Sequence, residues 1–139
     1  MVKKWIVEII SLLFVLLFLY TAVYKIIDFN NFRAVIGQSP LITRFAPYLA
    51  VGVPLVEIII SGLLVFSRWR IIGLCASFAL MLVFTFYIII LLNLHSHLPC
   101  SCGGIIQEMS WQQHLVFNIV FLLLSLTGIA IYKKDIVSA

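Results

Sequence analysis

Ile71-Ile-Gly-Leu-Cys75-Ala-Ser-Phe-Ala-Leu80-Met-Leu-Val-Phe-Thr85-Phe-Tyr-Ile-Ile-Ile90-Leu-Leu-Asn-Leu94 is 24 residues long and holds no charged side chain. A helix needs about 20 apolar residues to cross a bilayer, and a core helix of a soluble domain is seldom so long and so uniformly apolar. Three further stretches approach the same character: 5–24, 45–67 and 111–132. The whole chain of 139 residues is 64% hydrophobic and 10% charged, with a mean hydropathy of +1.22. Soluble domains of this length do not have that balance. The expectation is an all-α integral membrane protein: one domain over residues 1–139, built as an antiparallel bundle of four transmembrane helices.

Lys3 and Lys4 precede the first apolar run, as they would in a signal peptide. A cleavage site wants small residues at alternating positions, and the run ends Phe18-Leu-Tyr20-Thr-Ala-Val-Tyr24-Lys25. It is read as a retained helix. In a four-span topology Lys3, Lys4, Arg68, Arg70, Lys133 and Lys134 share one side, and Lys25, Arg33 and Arg44 the other. The positive-inside rule then places both termini in the cytoplasm. The 95–110 segment faces outward, which in a bacterial inner membrane means the periplasm, where disulfides persist. The net charge of +4 is spread over membrane flanks, so it gives no footprint for nucleic acid. Residues 66–70 form a turn too short for anything but an antiparallel hairpin. A short interfacial helix is expected at about Asn31–Ile36. Ser110-Trp-Gln-Gln113 is a capping-box pattern that starts the fourth span and puts His114 one turn inside it.

His95-Ser-His97-Leu-Pro-Cys100-Ser-Cys102-Gly-Gly104 is the long polar break of the second half. A Cys-x-Cys disulfide closes a small, strained ring, and strain makes a disulfide easier to reduce. The pair therefore suits exchange better than stapling, because a bridge enclosing one residue restricts little chain entropy. Its alternatives are an inert bridge, two idle thiols, or a zinc or Cu(I) site made by His95, His97, Cys100 and Cys102. Cys75 begins the same helix that ends before Cys100, roughly 30 Å away at 1.5 Å per residue. It is expected to pack beside Gly73, Ala76 and Ser77. Glu57 falls near the middle of the second span, three residues after Pro54. A carboxylate at that depth faces the bundle interior, as a proton relay, as a polar contact for a bound headgroup, or as a structural group bonded to Ser61, Asn118 or a similar partner. Glu8 is expected to be solvated beside Lys4. Lys25 and Asp28, three apart, can pair on one face. Arg33, His95, His97 and His114 are the other polar groups that could assist a thiol site, since a nearby cation favours the thiolate.

Leu17-Phe-Leu-Tyr-Thr-Ala-Val-Tyr-Lys25-Ile-Ile-Asp28-Phe resembles the first helix and turn of DoxX-like proteins, and Glu57-Ile-Ile-Ile-Ser-Gly62-Leu-Leu their second helix. Pro99-Cys100-Ser-Cys102-Gly-Gly104, followed by Trp111, His114 and Asn118, resembles the MauE branch, the methylamine-utilisation membrane proteins. The resemblance spans nearly the whole chain. It implies a four-helix membrane protein tied to periplasmic thiol–disulfide chemistry, with a thioredoxin-like or secreted protein as partner. It also invites comparison with quinone-linked thiol oxidases of the DsbB and VKOR types. Those relay electrons through two cysteine pairs, whereas this chain has one pair and a remote thiol. The leading expectation is exchange at Cys100 and Cys102: a partner thiolate attacks the bridge, the second cysteine resolves the mixed disulfide, and a membrane quinone re-oxidises the pair with help from His114, Arg33 or Glu57. The alternatives are a non-catalytic subunit that anchors or assembles a larger envelope complex, and metal handling by the 95–102 loop.

Overall fold

The computed structural model describes residues 2–38, 43–94 and 111–138. Within them the chain forms helix α1 (Val2–Ile27), α2 (Phe29–Gln38), a 3-10 turn (Thr43–Phe45), α3 (Ala46–Val65), α4 (Arg70–Leu94) and α5 (Trp111–Ser138). α1, α3, α4 and α5 are each long and apolar enough to cross a membrane. The expected all-α bundle of four membrane helices is the observed fold.

α1 shows how such a helix chooses its inner face. Its buried positions Val7, Ile10, Ser11, Phe14, Val15, Phe18, Thr21, Ala22 and Lys25 recur at the three- and four-residue spacing that lines up one side of a helix. The opposite side, with Leu12, Leu16, Leu19, Val23 and Ile26, is exposed. Both sides are apolar, so the outward one faces lipid. α1 packs against α3 and α5, α3 against α4, and α4 against α5, which closes a four-helix ring. Its core is Val7, Ile10, Phe14, Phe18, Ile60, Leu64, Leu74 and Met81. Phe14 meets Phe121 of α5 edge to face, with ring centroids 5.2 Å apart, a preferred aromatic geometry.

The α3–α4 hairpin is as tight as its short turn predicts. Phe66 leaves α3 in an extended conformation. Arg70 donates its Nε–H to the Leu64 carbonyl at 3.2 Å, satisfying one of the orphan acceptors at the end of α3. The helices then touch at Gly73. A Cβ there would lie 2.9 Å from Leu64 Cδ2 and 3.0 Å from the Leu64 backbone nitrogen, so only glycine permits this approach. Pro47 opens α3 within its first turn, where its missing N–H costs nothing.

Three details differ from the sequence reading. The extra-membrane helix is longer than Asn31–Ile36, and it is docked rather than simply laid in the interface: Phe32 of α2 is buried against Ala46 and Ala50 of α3. Cys75 is exposed. Positions 73 and 77 are a turn apart and point inward, with the Ser77 hydroxyl donating to the Gly73 carbonyl at 2.7 Å. Position 75 is rotated about 200° from Gly73 and lands on the outer face. Glu8 faces Arg70 at 3.9 Å with its side chain 35% exposed, so it is a loose ion-pair partner rather than a solvated neighbour of Lys4.

Candidate functional site

Two charges lie inside the bundle where the sequence shows one conspicuous acid. Glu57 on α3 is 1% exposed and Lys25 on α1 is 5% exposed. The Lys25 ammonium donates to Glu57 Oε1 at 2.6 Å. Helix geometry explains the meeting. Side chains lean toward the N-terminus of their own helix, and α1 and α3 run antiparallel. Lys25, near the end of α1, therefore reaches back into the bundle, while Glu57 leans toward the same end from below. Thr21, one turn before Lys25, places its hydroxyl 3.3 Å from both Glu57 Oε1 and the Phe18 carbonyl, which share its single proton. The ring centroids of Phe32 on α2 and Phe84 on α4 lie 5.7 and 5.8 Å from the Lys25 nitrogen, within cation–π range. Four helices thus converge on one ammonium group.

The pair is not saturated. Among the described residues, Glu57 Oε2 is buried without a hydrogen-bond partner, and so is Asn118 Nδ2 on α5. A buried pair whose remaining lone pairs are unmet offsets its desolvation poorly. The sequence points to Ser61, Asn118 or a similar group as the carboxylate's partner. Ser61 instead donates to the Glu57 backbone carbonyl at 2.8 Å, and the Asn118 amide nitrogen has no hydrogen-bond partner among the described residues. Lys25 likewise leaves Asp28, whose carboxylate accepts from Asn31 Nδ2 at 3.1 Å. The sequence held only part of the signal: Glu57 lies at membrane depth and needs a partner, but Lys25 falls one residue past the expected span 5–24, and only the longer α1, Val2–Ile27, brings it inside.

Of the other expected site residues, His114 is buried on α5 and shares a face with Asn118, four residues on. The Phe14–Phe121 contact sets the register of α1 and α5. Thr21 and His114 each lie seven residues from it toward the same end, about 10 Å at 1.5 Å per residue. His114 therefore sits at a depth comparable to Thr21. Arg33 is exposed on α2, beside the buried Phe32. His95, His97, Cys100 and Cys102 lie outside the described residues, as does Ser110; α5 starts at Trp111, where the capping pattern put it. No cluster of three or more metal-type ligands occurs among the described residues. Residues 95–110 connect the last residue of α4 to the first of α5. Those two helix termini belong to the same end of the bundle as Lys25, because Ile10, Leu74 and Gly128 meet at the opposite end.

A family model described as methylamine utilisation protein MauE matches residues 3–131. No curated protein and no solved structure matches the chain.

Proposed function

The chain belongs to the MauE family, and from that premise we propose that it is a bacterial inner-membrane protein that exchanges disulfides with a thioredoxin-like or secreted periplasmic partner through Cys100 and Cys102. The observation that carries the proposal is a conjunction. A Cys-x-Cys pair is tethered by α4 and α5 to the end of the bundle that also holds the buried Lys25–Glu57 pair. In this reading both termini are cytoplasmic and the 95–110 segment is periplasmic, as the distribution of Lys and Arg favours.

Exchange starts when a partner thiolate attacks one sulfur of the Cys100–Cys102 bridge, forming a mixed disulfide and releasing the other cysteine as a thiolate. Attack on the mixed disulfide by the partner's second thiolate leaves the partner oxidised and both loop cysteines reduced. Attack by the freed loop cysteine instead restores the starting bridge. Re-oxidation of the reduced pair transfers two electrons and two protons to an acceptor. A lipid-soluble quinone, becoming the quinol, balances the step. The unsatisfied Glu57 Oε2 and the buried His114 and Asn118 are the interior polar groups that support this assignment.

The test is the redox state of Cys100 and Cys102 in native membranes, read by mass-tag alkylation in a Cys75→Ala background. Respiring cells should show the bridge and quinone-depleted cells free thiols. An unchanged state in both removes the quinone. Unaltered partner maturation in a Cys100→Ser/Cys102→Ser variant would replace exchange by a purely assembling role.

A further inference from the structure

The end of the bundle remote from Lys25 carries an unusual concentration of positive charge. Lys3 and Lys4 begin α1, Arg68 lies in the α3–α4 turn, Arg70 begins α4, and Lys133 and Lys134 lie in the last turns of α5. The Glu8–Arg70 approach and the meeting of Ile10, Leu74 and Gly128 put these segments at one end. The acids of the same segments are Glu8, which already faces Arg70, and Asp135.

The placement of Lys3, Lys4 and Arg70 runs against helix electrostatics, whereas Lys133 and Lys134 lie near a helix C-terminus, where cations are favoured. A helix N-terminus bears partial positive charge and its first-turn N–H groups seek acceptors, so acids belong there and bases do not. Yet α1 and α4 have no acid in their first turns, and Lys3, Lys4 and Arg70 occupy them instead. Two positive helix ends are thus reinforced by side-chain cations, which is an arrangement completed by external anions. Arg70 is committed to the Leu64 carbonyl and Glu8. Lys3, Lys4, Arg68, Lys133 and Lys134 are all exposed.

The surroundings identify the anion. Trp5, Phe66 and Trp69 are exposed at the same level, 63%, 64% and 47%, and Arg68 lies over the Trp69 ring at 5.9 Å. Indole groups where membrane helices end mark the headgroup layer. Phosphates of that layer are at hand, whereas a soluble acidic partner would have to displace them.

We propose that this end of the bundle is a selective binding surface for anionic phospholipids, whose phosphates engage Lys3, Lys4, Arg68, Lys133 and Lys134. The site is independent of the thiol chemistry at the other end.

The test is native mass spectrometry of the purified full chain in detergent, titrated with phosphatidylglycerol or phosphatidylcholine. The expected result is a preference for phosphatidylglycerol of at least about tenfold. Lys3→Gln/Lys4→Gln/Lys133→Gln/Lys134→Gln should abolish that preference with helix content unchanged by circular dichroism. Arg33→Gln/Arg44→Gln, at the other end, should keep it. Equal binding of the two lipids, or a preference that survives the four-glutamine variant, overturns the proposal. If that variant does not purify, wild type at about 0.5 M salt decides: screening at that strength should erase the preference, and its persistence overturns the proposal equally.

Discussion

A lysine ammonium held 2.6 Å from a carboxylate inside a membrane bundle is stabilising only while both partners are present. Glu57→Gln leaves the Lys25 charge buried without its counter-ion, and should cost about 3–5 kcal/mol. Lys25→Met strands Glu57 in the same way. The double variant Lys25→Met/Glu57→Met removes both charges and should recover most of the loss. Unfolding titrations in micelles would measure the cycle; a double variant as unstable as the sum of the singles would show that the two residues are not coupled. This pairing was half legible. Sequence separation of three pointed Lys25 to Asp28, but Asp28 lies in the turn just before α2 and is served by Asn31. The costlier burial of Glu57 decides where the ammonium goes. Cys75 gives the opposite lesson. Its neighbours in sequence are interior, and only rotation around the helix shows that it faces out. In detergent, where the lipid-facing surface is reachable, a small lipophilic thiol reagent should therefore label Cys75 in the folded protein. A cysteine substituted for Ser77, which is fully buried, should react only after unfolding.

Helices of this chain are apolar on both sides, so the hydrophobic pattern that orients a soluble helix is weak, and contact faces are set by small and polar residues. The spans themselves were plain from composition, and so was the α3–α4 hairpin from its short turn. The docking of α2 was not, because it rests on Phe32 meeting two alanines of α3 rather than on any motif. Glycines make the point testable. Gly73→Ala places a methyl 2.9 Å from Leu64 Cδ2 and 3.0 Å from backbone, and should destabilise the hairpin by about 1–3 kcal/mol. Gly62→Ala meets nothing within 4 Å and should be neutral or slightly stabilising. Thermal unfolding of the two variants side by side would separate close packing from helix propensity. Phe32→Ala should loosen α2 by about 3 kcal/mol, visible as faster proteolysis at residues 29–38.

At the scale of the whole molecule, the alternation of four spans was readable, but the closure of the ring between α5 and α1 was not. Nothing in either helix names the other; the closure is set by shape, through Phe14 against Phe121 and Gly128 beside Ile10. A Cβ at Gly128 would stand 3.4 Å from Ile10 Cγ2, close to where a cysteine sulfur at position 10 would lie. Ile10→Cys/Gly128→Cys, with Cys75, Cys100 and Cys102 replaced by alanine, should cross-link rapidly under mild oxidation. Failure to do so while the protein stays folded would refute this helix order. The hydroxyls of Ser61, Ser77, Thr85, Ser125 and Thr127 do not fix that order, since they donate to carbonyls of their own helices; Thr21, which also reaches Glu57 on α3, ties α1 to α3.

The Lys25–Glu57 pair also imposes a sequence of events on biogenesis. The two residues are 32 positions apart, so the ribosome completes α1 well before the acid that its lysine needs exists. Until then the ammonium can stay at the water boundary, because it sits near the end of its helix on a long flexible stem. Arrival of the third helix supplies the carboxylate and draws the charge inward. The first span is thus held ready by its own lysine, and the bundle is locked only when synthesis has passed Glu57.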